Sequence, residues 1–179
     1  MNIIRHPRAP ALTIERWFNT SQPITLESLR GKVVVMESFQ MLCPGCVSHG
    51  LPQVSRVYAT FPPDKVAVIG LHTVFEHHEV MTAQALETFL SEYRIPFPVG
   101  VDMPSPDNDV PQTMLSYAMR GTPTLTLIDQ QGYLRQQYFG QVDDLALGAE
   151  IGALLNESLS VSKDASMASG CSDGQCATT

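Results

Sequence analysis

The apolar positions of the chain follow two periods. Val33 to Met36 and Val66 to Leu71 are short, nearly continuous apolar runs rich in β-branched residues, the pattern of buried strands. Val47, Leu51, Val54, Val57, Tyr58 and Phe61 recur at spacings of three and four, which predicts a helix with one buried face. The same spacing runs from Met81 to Tyr93 through Leu86, Phe89 and Leu90. It returns from Val142 to Leu159 through Leu145, Leu147, Ile151, Leu154 and Leu155. Between these stretches, Ile95 to Val99 reads as extended, residues 102–111 as a Pro- and Asp-rich loop, and Val110 to Met119 as one or two helical turns. Thr124 to Ile128, the Gln130-Gln131-Gly132 turn and Tyr133 to Phe139 predict a β-hairpin. Strand, helix, strand, helix in this order predicts an α/β domain over residues 12–159. Residues 1–11, with prolines at 7 and 10, read as a loose N-terminal segment, and residues 160–179 as a flexible tail poor in large apolar groups.

The chemistry sits where the first strand pattern meets the first helix pattern, at Cys43-Pro44-Gly45-Cys46. The first turn of a helix presents unpaired N–H groups and the positive end of the dipole, and both favour a thiolate over a thiol. Pro44 suits that first turn, because its missing N–H is not needed there. Gly45 leaves little side-chain cover over the sulfurs. Cys43 is expected to be the exposed attacking thiol and Cys46 the buried resolving thiol. A zinc site is the competing reading of such a pair. It needs about four ligands, and the only other cysteines, Cys171 and Cys176, lie far off at a different spacing.

Composition narrows the class. With 179 residues, 44% hydrophobic and 16% charged, the chain is long enough for one domain with a proper core. Its net charge of −7, without a basic run, gives no footing for nucleic acid. No apolar stretch approaches the length of a membrane span. The N-terminus has no apolar signal core and keeps a starting Met, so the expected compartment is cytoplasmic. There the dithiol would rest reduced and act as a reductant.

Five stretches resemble the thioredoxin superfamily, in its branch of TlpA-like and redoxin (AhpC/TSA-like) proteins. They are Trp17-Phe18-Asn19, Ile24 to Lys32, the strand with CPGC, Gly121-Thr122-Pro123-Thr124, and Leu127-Ile128-Asp129 with Gly132. The resemblance implies a thioredoxin-like fold, a central mixed β-sheet flanked by helices, and a thiol–disulfide oxidoreductase without a cofactor. Its partners would be a disulfide-containing protein substrate and an upstream thiol reductase. It implies that Thr122–Pro123 is a cis bond facing the cysteines, and the substrate-binding residues are expected to be Pro44, Gly45, Thr122 through its backbone, and Pro123. Glu37, inside the apolar strand, would take the place of a buried carboxylate that helps deprotonate the resolving cysteine. A carboxylate there is expensive to bury without a partner or a task, and burial should raise its pKa. An ion pair at the strand's outer face is the alternative for this residue. His49 stands where TlpA-like proteins often have Glu. It would favour the thiolate or carry a proton, unless it is simply a surface histidine. Pro52 is expected to kink the helix.

Other features admit more than one reading. His72, Glu76, His77, His78 and Glu79 follow the second strand, as a polar loop or, less naturally, a metal site, and His72 is expected at the rim of the active site. Cys171 and Cys176 in the tail form a possible second redox pair, a metal grip or two incidental thiols. Two further functions compete with thiol–disulfide exchange. One is a peroxiredoxin-like peroxidase with Cys46 as peroxidatic cysteine. Such enzymes resemble this chain less, because Cys43, Phe39 and Pro123 stand where they carry Thr, Pro and Arg. The other is a soft-metal carrier using Cys43 and Cys46.

Overall fold

Val33–Phe39 forms strand β2, and every one of its residues is buried. That burial follows from its place at the middle of the sheet. A computed structural model, which describes residues 6–167, gives a six-stranded sheet in the order β1-β4-β3-β2-β5-β6. The strands are β1 Ile14–Phe18, β2, β3 Val66–His72, β4 Val99–Asp102, β5 Thr124–Ile128 and β6 Leu134–Phe139. Strands β2, β3 and β4 run parallel, while β5 pairs antiparallel to β2, β6 to β5 and β1 to β4. The sheet is therefore mixed.

Strand alternation sends side chains to two cores. Val33, Val35 and Phe39 meet Leu51, Val54 and Val57 of α1 (Leu51–Thr60), Leu86 and Leu90 of α2 (Ala83–Glu92), and Leu147 and Ile151 of α4 (Asp144–Met167). On the other face, Val34 and Met36 pack with Leu26 and with Met114 of α3 (Gln112–Ser116). Helices thus cover both faces, as an α/β sheet with parallel strands requires. Thr82 caps α2 by accepting the Ala85 N–H at 3.2 Å. The hairpin turn closes where Asp129 Oδ1 accepts the Gln131 and Tyr133 amides and Gly132 takes φ +81°.

Several expectations need correction. Residues 6–11 are not loose. Arg8 bridges to Tyr133, Pro7 O accepts the Leu134 amide, and Pro10 O accepts the Tyr117 hydroxyl at 2.8 Å. Ile14–Phe18 is a strand that the residue pattern did not reveal. It is an edge strand with no fully buried residue, so its alternation is weak. Leu145 is not on the buried face of α4 but 84% exposed, because it lies about half a turn from Leu147. The last helix continues from Leu159 to Met167, since no Gly or Pro interrupts that stretch. Cys171 and Cys176 lie outside the described residues.

Asp102 is the largest departure. Expected in a loop, it ends β4 and is 3% exposed. Its carboxylate accepts the Thr113 amide at 2.8 Å, the Met114 amide at 2.9 Å and the Thr73 hydroxyl at 3.0 Å. It thereby satisfies the start of α3 and ties it to the end of β3. Asp102→Ala leaves those buried donors unpaired and should cost on the order of 3 kcal/mol, read as a lower denaturant midpoint at unchanged slope. Asp102→Asn, which keeps part of the acceptor set, should lose less.

Candidate active site

Strand β2 ends at Phe39, and the next few residues carry the chain past the C-terminal ends of the parallel strands to Cys43. Helical backbone starts at Pro44, as the sequence predicts. From Cys46 to Gly50 the helix widens into a π turn, and α1 follows with Pro52 in its first turn. Pro52 therefore does not interrupt a regular helix. It has no N–H to donate, and the wide turn before it takes up the mismatch.

Cys43 and Cys46 are bonded to each other, with Cα atoms 5.2 Å apart. Cys43 is half-buried and Cys46 is fully buried, so a partner reaches Cys43 first. The Cys46 amide points at Cys43 Sγ from 3.2 Å. That donor favours negative charge on this sulfur when the bond opens. The Thr122 carbonyl lies 3.6 Å from the same sulfur, and the Thr122–Pro123 bond is cis. Gly45 is pressed against this loop, since a Cβ there would sit 3.3 Å from Pro123 Cδ. Leu42, the residue before Cys43, is 59% exposed.

Glu37 projects from β2 beneath the wide turn. It is 1% exposed, and its Oε1 has no hydrogen-bond partner. Desolvation pushes its pKa up to about 8. Gly50 makes room for it: a Cβ on Gly50 would collide with Glu37 Oε1 and approach Pro123 Cβ to 3.3 Å. Reasoning from the sequence missed Gly50. The signal was present as a glycine inside a helical pattern, just ahead of a proline.

A cleft of about 620 Å³ leads from Glu37 to the surface past His49, Gly50, Gln53 and Pro123. His49 is exposed on its wall. Ser48 Oγ donates to the Pro44 carbonyl at 2.7 Å, and His49 Nδ1 lies 2.6 Å from the same hydroxyl. The hydroxyl has one proton and spends it on a carbonyl, which can only accept. With that proton donated to the carbonyl, the second bond is donated by His49 Nδ1–H, the tautomer whose Nε2 keeps a lone pair. The site thus brings together Glu37, Cys43, Pro44, Gly45, Cys46, His49, Thr122 and Pro123.

His72 is not at the rim of this site. It is 1% exposed against Phe39, with ring centroids 5.4 Å apart, and it lines a separate cavity. Among the described residues no group of three His, Cys, Asp or Glu side chains is arranged to hold a metal ion. No helix among them is long and apolar enough to cross a membrane.

Comparison with known proteins agrees with this geometry. The AhpC/TSA family model matches residues 7–137. A thioredoxin-like superfamily protein of known crystal structure is 61% identical with a TM-score of 0.82, covering 83% of this chain and 96% of its own. A thiol-disulfide isomerase from Corynebacterium glutamicum is 51% identical with a TM-score of 0.79, covering 82% of this chain and 96% of its own. Protein DipZ of Mycobacterium tuberculosis is 31% identical over 146 residues, 80% of this chain but 20% of DipZ. The chain therefore spans about a fifth of that curated relative. By its family model, its sheet and its structural neighbours, the chain belongs to the AhpC/TSA family of thioredoxin-like redoxins.

Proposed function

We propose that the protein is a thiol–disulfide oxidoreductase that reduces disulfides in protein partners through Cys43 and Cys46. The observation that carries this reading is the pairing of a reachable Cys43 with a fully buried Cys46 at a helix start. The Cys43 thiolate attacks one sulfur of the partner's disulfide, and the other leaves as a thiolate. In the resulting mixed disulfide, Cys46 loses its proton and attacks Cys43 Sγ. The Cys43–Cys46 bond forms, the second partner sulfur leaves as a thiolate, and two electrons have passed to the partner. An upstream thiol reductase restores the dithiol, in keeping with a cytoplasmic, reducing setting.

Glu37 takes the Cys46 proton in this scheme. Its raised pKa suits an acceptor working near neutral pH. The cleft gives water a route between the carboxyl and solvent, and His49 Nε2 offers the next acceptor along it. The half-buried Cys43 and exposed Pro44 leave this sulfur reachable, and the Thr122 backbone beside it offers pairing to an extended substrate segment, with Gly45 and Pro123 as its flanks. A peroxidase reading needs peroxide to reach Cys46, and that sulfur is fully buried.

Cys46→Ser should accumulate a mixed disulfide on Cys43 when mixed with a disulfide-bonded protein, seen as a mass adduct released by dithiothreitol. Cys43→Ser should form none. Adducts on Cys46 in the Cys43→Ser variant, or none in either, contradict the assignment.

Glu37→Gln should slow release of the reduced partner on the order of 10-fold or more near neutral pH, with little change in the first attack. It should also change the pH dependence of stability. The folded value of about 8 exceeds the ordinary 4.5, so the folded protein holds more protons than the unfolded chain between those values. Stability contributed by this group is full below about pH 4.5 and is lost as pH rises through 8, by at most about 1.4 kcal/mol per pH unit. Denaturation midpoints at pH 5 and pH 8 should differ for the native protein and differ less for Glu37→Gln. Equal differences in the two proteins would remove Glu37 from this role.

A further inference from the structure

A second cavity, of about 440 Å³, opens at the C-terminal ends of β3 and β4, on the sheet face that carries Cys46. Its walls are apolar at Val74, Met81, Val101 and Pro104. His72 also lines it, 1% exposed, and neither of its ring nitrogens has a hydrogen-bond partner. A buried polar group without a partner is costly, and native structures rarely leave one unused. Nothing in the exchange chemistry uses this ring.

The rest of the lining has one charge sign. Glu15, Asp102 and Asp109 line the cavity together with His78, and no Lys or Arg does. Asp102 is spoken for by Thr73, Thr113 and Met114. Glu15 and Asp109 are exposed and form no salt bridge among the described residues. The Thr82 hydroxyl, also in the lining, is taken by the Ala85 amide. Burial keeps His72 neutral by lowering its pKa to about 4, so one ring nitrogen is a bare acceptor. The bare acceptor of a buried ring, apolar walls and free carboxylates in one lining describe a receptor for a long aliphatic stem with a cationic, hydrogen-donating head.

The cavity is also wired to the cysteine loop. His72 pairs in register with Phe39, and the Thr73 amide donates to the Phe39 carbonyl at 3.1 Å. Gln40, 1% exposed, accepts the Phe75 amide at 3.3 Å and donates to Glu76 at 3.3 Å. Its own carbonyl accepts the Cys43 amide at 3.2 Å. One segment, 72–76, therefore forms a wall of the cavity and is tied to the loop that presents Cys43.

We propose that this cavity is a specificity subsite that receives a lysine or arginine side chain of the disulfide-bearing partner. The inference rests on the exchange reading for the nature of the partner, but the subsite itself binds without chemistry.

The test uses a panel of short peptides with one cysteine activated as a mixed disulfide, each with a lysine at one position within three residues of it. Norleucine peptides serve as controls. The reduced protein should show a KM about tenfold lower for the best lysine peptide than for its norleucine twin. That ratio should fall toward one in the Glu15→Gln/Asp109→Asn double variant and in His72→Phe. The double variant changes exposed positions only, so it guards against a His72→Phe chain that fails to fold. The same peptides with serine for cysteine, titrated calorimetrically into the oxidised protein, should show the same preference in Kd. Equal KM and equal Kd with turnover intact overturn the subsite and leave exchange standing. Lysine-selective binding without any turnover supports the subsite and overturns exchange. Tight Zn²⁺ binding lost in His72→Phe, with no lysine preference, overturns the subsite in favour of a metal site.

Discussion

The active site depends on one constraint, a carboxyl group kept in a place where water cannot reach most of it. Glu37 stands in the most buried strand of the sheet, and its Oε1 has no protein partner. The surroundings are shaped to it. Gly50 has no Cβ because that atom would occupy the carboxyl's space, and Pro123 closes the other side. The wide turn from Cys46 to Gly50 passes above it and leads into Pro52. Desolvation, more than any charged neighbour, then raises the pKa. The sheet, the turn and the cis-proline loop meet at this one group.

The two cysteines use opposite environments at the same helix start. Cys43 is half-buried, with an amide donor aimed at its sulfur. Cys46 is sealed in the core formed with Phe39 and Val54. A helix start and the aimed amide favour charge on the first sulfur, while burial shields the second from an incoming partner. In the proposed exchange, asymmetry of this kind sets which sulfur a partner meets first. Asp102 and Gln40 serve the same edge from outside the site, one anchoring the end of β4 to α3 and the other holding the 73–76 segment against the cysteine loop.

Much of this was legible in the residues. The apolar run before the cysteines and the three–four spacing after them placed Cys43 and Cys46 at a strand–helix junction. Glu37 stood out as a charge in an apolar strand. What escaped was set by contacts distant in sequence. Ile14–Phe18 is an edge strand whose alternation is blurred by exposure on both faces. Asp102 finds its partners on β3's exit and on α3, which no local pattern announces. His72 carried a readable signal that polar neighbours obscured. It continues the parity of Val66 and Val68, and so points into the same core as Phe39. Leu145 carried one too, since counting around the helix sets it apart from Leu147 and Ile151.

The most direct test of the account is to equilibrate the reduced protein across a glutathione redox series, trap the free thiols, and map the disulfides by peptide mass. The account predicts a reversible Cys43–Cys46 bridge with one two-electron midpoint, nearer the roughly −270 mV of reductants than the roughly −120 mV of strong oxidants. A series in which Cys43 and Cys46 never pair with each other would contradict it.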